Sequence, residues 1–324
     1  MSIKQPTIEE LRTIASYCGF NLSTDDLKSF LGLIEPVLAS YHRLEDLPEP
    51  NFPIRYPRDF GYRPSFKDNE FGAWYWKSEI KGAETGPLVG KTVVIKDNVS
   101  VAGIPMMNGT DVLEGYVPET DATLVTRILD AGGTILGKAV CESLCVSGGS
   151  HTSDTGPVYN PHDKTRSAGG SSSGSAALVA LGEVDMAIGG DQGGSIRIPS
   201  GWCGIYGLKA TYGLVPYTGV FPVELTLDHT GPMARTAWDC ALLLESIAGP
   251  DGVDPRQMGA PLPKPYTNAL IGNVKGLKIG LVDEGFNIPG QSERDVDEIV
   301  RESAYSYEKL GASVKSISIP WHKE

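Results

Sequence analysis

The sequence predicts an α/β fold: a mixed, largely parallel sheet covered by helices on both faces, preceded by an N-terminal helical segment. Three observations carry this. From residue 91 onward, short β-branched runs alternate with helical stretches, the order that lays strands side by side and puts their connections on the two sheet faces. Residues 1–47 carry an amphipathic helical pattern instead. Residues 48–90 between them are rich in proline, glycine and aromatics, the composition of an ordered linker wrapping a core. The expected organisation is therefore a helical segment with its linker over 1–85 and the core over 86–324.

Taken in order, Thr7-Ile8-Glu9-Glu10 is a capping box opening a short helix. Leu27, Phe30, Leu31, Ile34 and Leu38 form the apolar stripe of a second helix, which Pro36 should kink or end. The aromatic cluster Trp74, Tyr75 and Trp76 reads as packing. The core should then run as strand 92–95, a helix around 122–131 introduced by Thr120 and Asp121, strand 134–136, a helix near 175–181 and strand 184–188. Strand 278–282, helix 292–310 and strand 313–319 close the chain. Sites in such sheets sit in loops at strand ends.

Composition excludes several function classes. The chain has 324 residues, with 28 basic against 40 acidic residues and a net charge of −12, which argues against nucleic acid or an anionic membrane as partner and favours a small neutral ligand. No apolar run approaches the ~20 residues of a membrane span, and the polar start lacks a signal-peptide pattern, so the expected location is the cytoplasm. Five cysteines without a paired C-x-x-C motif fit reduced thiols. Cys141 and Cys145, four apart, would share a helix face but lack the further ligands of a metal site. No basic residue flanks them in sequence to activate a nucleophilic thiol, so they read as small buried apolar residues.

The chemistry concentrates in three segments. Residues 189–199 carry four glycines around Asp191, Gln192 and Ser195, a loop in which the peptide N–H groups of 192–195 are free to turn toward one point. An oxyanion held there would gain about 3–4 kcal/mol per well-placed donor. A serine- and glycine-rich run at 167–175 precedes it, and an apolar strand at 92–95 delivers Lys96 at its carboxyl end. A serine hydroxyl attacking an acyl carbon needs a base to take its proton. A solvated lysine is almost wholly protonated at neutral pH, so Lys96 fits that role only if buried. Among the histidines, His42, His151, His162, His229 and His322, none lies in a nucleophile elbow: Gly-x-Ser-x-Gly fails at 169–173 because residue 173 is serine. Asp191 and Arg197 flank Ser195 and read as an ion pair that shapes its loop.

These segments resemble the amidase signature family, including the 24-position separation of Ser171 and Ser195. The resemblance implies a Ser–cis-Ser–Lys triad with Ser195 as nucleophile, Ser171 as the bridging serine behind a cis peptide bond, and Lys96 as base. It further implies Gln192, Gly193, Gly194 and the Ser195 amide as oxyanion donors. The hydroxyls of Ser172, Ser173 and Ser175 can satisfy backbone groups around Ser171. No cofactor and no metal is implied. Family members usually have glycine where Ser173 stands. Lys-Asp-Asn at 96–98 and Asp-Gln-Gly-Gly-Ser at 191–195 are most similar to amidases of nitrile metabolism, whereas the glutamyl-tRNA amidotransferase subunit usually has threonine at the position of Gln192. The resemblance thus implies a serine amide hydrolase working through an acyl-enzyme, and, by its N-terminal helices, a homodimer. An amidotransferase subunit that uses glutamine within a complex is the alternative. Members of the family usually continue beyond residue 324, so a catalytically silent partial form is the other.

Overall fold

The computed structural model describes residues 3–47 and 52–323. Its contacts divide the chain into two compact units, Met1–Pro53 and Ile54–Glu324. In the first, helices α1 (Ile8–Tyr17) and α2 (Thr24–Glu45) each open on a capping box. The Thr7 hydroxyl accepts from the Glu10 N–H and the Glu10 carboxylate accepts from the Thr7 N–H, which satisfies two donors that a helix start otherwise leaves open. Ser23 and Asp26 repeat the arrangement. Helix α2 runs through Pro36 rather than ending there. Of its apolar stripe, Leu27 and Leu38 are buried and Phe30 is exposed.

The second unit holds a six-stranded sheet in the order β1-β3-β2-β6-β8-β7. Its strands are β1 (Trp74–Lys81), β2 (Thr92–Lys96), β3 (Thr134–Ala139), β6 (Met186–Asp191), β7 (Tyr206–Gly207) and β8 (His229–Ala234). The central strands β3, β2 and β6 are mutually parallel, while β1 pairs antiparallel with β3, β8 with β6, and β7 with β8. Residues 74–81 thus enter the sheet as an edge strand, inside the stretch expected to be linker. Trp74 and Tyr75 are buried, and the indole N–H of Trp76 donates to Phe60 O at 2.6 Å. Short strands β4 (Tyr159–Asn160) and β5 (Asp163–Ser167) pair separately.

The pleat of β2 explains the layering. Val93 and Ile95 join a core with α3 (Thr123–Asp130) and α6 (Ala237–Ile247), whereas Val94 joins one with α4 (Ser173–Leu181) on the opposite face. Each such fully buried side chain contributes roughly 1.5–3 kcal/mol. Alternation then puts Lys96 on the α4 face, where the serine-rich run enters its helix. Helix α5 (Arg197–Cys203) follows the Ser195 loop. Near the chain end, β9 (Lys278–Val282) and β10 (Ser313–Ile317) pair in parallel as a two-stranded sheet of their own, linked by α7 (Arg294–Ser306) and a 3-10 turn over Tyr307–Leu310. No helix among the described residues is long and apolar enough to cross a membrane.

Candidate active site

Lys96 stands at the carboxyl end of β2 with 0% of its surface exposed. Its Nζ donates to Ser171 Oγ at 2.7 Å and approaches Gly190 O at 3.4 Å. The peptide bond Gly170–Ser171 is cis. Gly170 is required there, because a Cβ would fall 1.9 Å from Gly149 O. Ser195 is 8% exposed, and its carbonyl accepts from the Ser172 N–H at 3.2 Å. Among the described residues, Ser195 Oγ makes no hydrogen bond to Ser171. Lys96 and Ser171 are therefore in contact, and Ser195 is fixed to the residue next to Ser171. Ser172 braces the floor: its hydroxyl donates to Gly190 O and accepts from Gly190 N–H, at 3.2 and 3.1 Å.

Asp191 organises the Ser195 loop. Its carboxylate accepts from the N–H of Gly194 at 2.8 Å, Ile196 at 3.1 Å and Arg197 at 3.4 Å, and from Nε and Nη2 of Arg197 at 3.0 Å each. Burial works against its charge, but the Arg197 hydrogen bonds, the Ile196 and Gly194 N–H groups and the Arg197 charge outweigh it and hold the carboxyl below the usual carboxylate range. The Gly194 N–H donates to Asp191, whereas the N–H groups of Gln192, Gly193 and Ser195 meet no acceptor among the described residues.

Several neighbours escaped the sequence reading. Asp97 is buried beside Lys138, with 3.1 Å between carboxylate and ammonium, and accepts from the N–H of Met107 and Asn108 at 3.0 and 2.8 Å. Burial pushes this carboxyl up, against the pull of Lys138 and the two amides. Two buried lysines thus lie on adjacent strand ends: Lys138 is paired, and Lys96 has no ion pair among the described residues. The only sequence signal for Lys138 was a second lysine near the end of an apolar strand.

Cys141 and Cys145 also depart from expectation. They do not share a helix; both thiols face Asn108 Oδ1, at 3.6 and 3.3 Å. The Cys145 thiol is drawn below the ordinary thiol range, first by its hydrogen bond with Cys141 and then by Lys96 and Ser171, against burial, while Cys141 is pushed up. Lys96, remote in sequence, is the basic neighbour that local reading did not find. His42, His162 and His229 each bond a backbone carbonyl. No cluster of three potential metal ligands occurs among the described residues.

The sequence model of the Amidase family matches residues 64–324. The chain is 46% identical to an enantioselective amidase of Rhodococcus rhodochrous, over 99% of this chain and 62% of that protein. It is 42% identical to a glutamyl-tRNA(Gln) amidotransferase subunit of Methanosarcina acetivorans, over 75% of this chain and 50% of that one. Among solved structures, the corresponding amidotransferase subunit of Thermotoga maritima superposes with a TM-score of 0.74 at 33% identity, covering 80% of this chain and 57% of that one. The peptide amidase of Stenotrophomonas maltophilia gives 0.67 at 35% identity, covering 72% and 49%. The chain therefore spans from about half to less than two thirds of the length of these relatives. With a buried lysine on a cis-linked serine, a second serine beside them in a glycine-rich loop, and these matches along most of its length, the chain belongs to the amidase signature family.

Proposed function

We propose that the protein is a serine amide hydrolase that converts a carboxylic acid amide to the acid plus ammonia or amine. The observation that carries this reading is the 2.7 Å hydrogen bond between the buried Lys96 Nζ and Ser171 Oγ, next to a serine whose loop holds unpaired backbone donors. Neutral Lys96 takes the Ser195 proton through Ser171 as Ser195 Oγ attacks the carbonyl carbon. The oxyanion is held by the N–H groups of Gln192, Gly193 and Ser195. As the tetrahedral centre collapses, the C–N bond breaks and the leaving nitrogen receives the proton from Ser171. Water, deprotonated along the same route, attacks the acyl-enzyme and releases the acid. Asp191 and Arg197 hold the loop and take no part in proton transfer.

The amidotransferase subunits among the relatives support a second reading, release of ammonia from glutamine within a complex. Ammonia release separates the two. Turnover of small carboxamides by the isolated chain, lost in Ser195→Ala, is the result expected of a hydrolase. Release from glutamine alone, dependent on added partner subunits, assigns the amidotransferase. Neither activity in folded protein marks a silent form. Five free cysteines suit a reducing cytoplasm. The exposed Ile14, Leu33, Val37 and Leu44 on α1 and α2 fit pairing with a second copy, which sedimentation of the isolated protein tests.

A further inference from the structure

Cys141 and Cys145 take no part in the proposed reaction, yet they stand against its lysine and its bridging serine. Both are buried, and their thiols lie 3.6 and 3.3 Å from the same oxygen, Asn108 Oδ1. They are also in hydrogen-bond contact with each other, and Cys145 with Lys96 and Ser171. Leu144 and Cys145 both adopt left-handed backbone, with φ of 49° and 61°, a conformation that residues with a Cβ rarely take. This reversal turns the second thiol back onto the first.

The two thiols differ in character. Cys145 is drawn down to about 7 by its hydrogen bond with Cys141, and further by Lys96 and Ser171, against burial. Cys141 is pushed up by the same hydrogen bond and by burial. A thiolate beside a thiol supplies one sulfur to attack an oxidant and a second to resolve the product. Leu144 and Val146, on either side of Cys145, are 44% and 67% exposed, so the turn that carries the thiol lies at the surface. The segment between the cysteines is also fastened to the site. The Glu142 N–H donates to Ser171 O at 3.2 Å, and the Cys145 N–H donates to Glu142 O at 2.9 Å. A Cβ at Gly170 would fall 2.8 Å from Glu142 Cγ, so Glu142 packs directly on the peptide that carries Ser171.

We infer that Cys141 and Cys145 are a modification site for hydrogen peroxide, which closes them into an intramolecular disulfide that displaces Glu142 and, with it, Ser171. The Cys145 thiolate attacks one peroxide oxygen; the O–O bond breaks, the sulfur is oxidised to a sulfenic acid, and the hydroxide released takes up the proton the thiol gave up. Cys141 then attacks that sulfur. The S–S bond forms as the S–O bond breaks, and the departing hydroxide leaves as a second water with the Cys141 proton. One peroxide is thus reduced to two waters as two thiols are oxidised to one disulfide. The disulfide takes both thiol donors from Asn108 Oδ1, whose partner atom Nδ2 is already buried without an acceptor. A buried amide left wholly unpaired works against the oxidised state, so a dithiol reopens the bond readily and the modification is reversible. The disulfide itself does not depend on Ser195; its effect on the site rests on the reading of Ser195 as nucleophile.

The test exposes the reduced, folded protein to hydrogen peroxide, alkylates the remaining thiols after unfolding, and reads the peptides by mass spectrometry. The expected result is that peptide 139–164, which carries both cysteines, becomes two hydrogens lighter and escapes alkylation while Cys203 and Cys240 stay alkylated. In the same sample the fluorophosphonate labelling rate of Ser195 falls at least about tenfold, the scale of a small displacement in a catalytic site. Dithiothreitol reverses both changes. In Cys141→Ala, peroxide leaves Cys145 as a sulfenic acid, read as its dimedone adduct. Cysteines 141 and 145 that stay alkylatable while the exposed Cys18 is oxidised overturn the inference, and that comparison needs no variant to fold. So do oxidation of Cys145 beyond reach of dithiothreitol in place of a disulfide, and a disulfide that leaves labelling unchanged. A disulfide in protein that carries no label even when reduced supports the thiol pair and removes the nucleophile assigned to Ser195.

Discussion

Replacing Asp191 with asparagine changes almost no volume yet should dismantle the nucleophile loop. The native carboxylate accepts three backbone N–H groups and two guanidinium donors. Asparagine keeps one acceptor oxygen, which serves Gly194, and turns an NH2 toward the N–H groups of Ile196 and Arg197. A buried donor left without a partner costs about 1–3 kcal/mol, and donor now faces donor. The Arg197 side chain is 54% exposed, so water solvates its freed charge and the ion pair adds little beyond about 1 kcal/mol. The sum is a destabilisation of about 2–4 kcal/mol, read by urea unfolding, and a drop of at least about tenfold in the fluorophosphonate labelling rate of Ser195. The pH dependence has a defined sign. Because the folded-state carboxyl is held low, its contribution is complete above roughly pH 4, the ordinary range of a free aspartate, and is lost as pH falls through the folded-state value. Stability within about 0.5 kcal/mol of the native protein, the scatter of neutral surface changes, together with native labelling, would refute the role given to Asp191.

Three further outcomes are expected. Lys96→Met forfeits two hydrogen bonds but strands no charge, so it should unfold within about 1–2 kcal/mol of the native protein while losing labelling at Ser195. Lys138→Met leaves the Asp97 carboxylate buried without its cation and should cost about 3–5 kcal/mol in the same urea titration. In native-state alkylation with iodoacetamide near pH ~8, followed by peptide mass spectrometry, Cys18 reacts first because it is exposed, and Cys145 precedes Cys203 and Cys240, whose thiols burial pushes up to about 12.

The fold was legible where a strand or helix declared itself by period. Strand β2 needed only its β-branched run, and α1 its capping box. Strand β8 was not anticipated, because Gly231 and Pro232 break the pattern of a strand and are accommodated here in antiparallel pairing, where the Pro232 carbonyl accepts from the Leu208 N–H. Strand β1 was hidden among prolines and aromatics that sequence alone reads as linker. At the site, the residues carrying unusual local chemistry were visible: a lysine ending an apolar strand and serines among glycines. What sequence could not reveal was partnership across the sheet. Asp97 with Lys138, Cys145 with Lys96, and Gln192 with Asp228 are separated by 36 to 49 positions, and only the tertiary fold brings them together. The commitment of the Gly194 N–H to Asp191 was invisible for the same reason, since a glycine's donor looks free until its acceptor is placed.

The central claim is that Lys96, Ser171 and Ser195 act as one unit. It is tested most directly by exposing the folded protein to a fluorophosphonate probe and mapping the adduct by mass spectrometry, with Lys96→Ala as control. The account predicts a single adduct on Ser195 that disappears in Lys96→Ala. An unlabelled but folded protein, an adduct on another residue, or labelling that persists undiminished without Lys96 would contradict it.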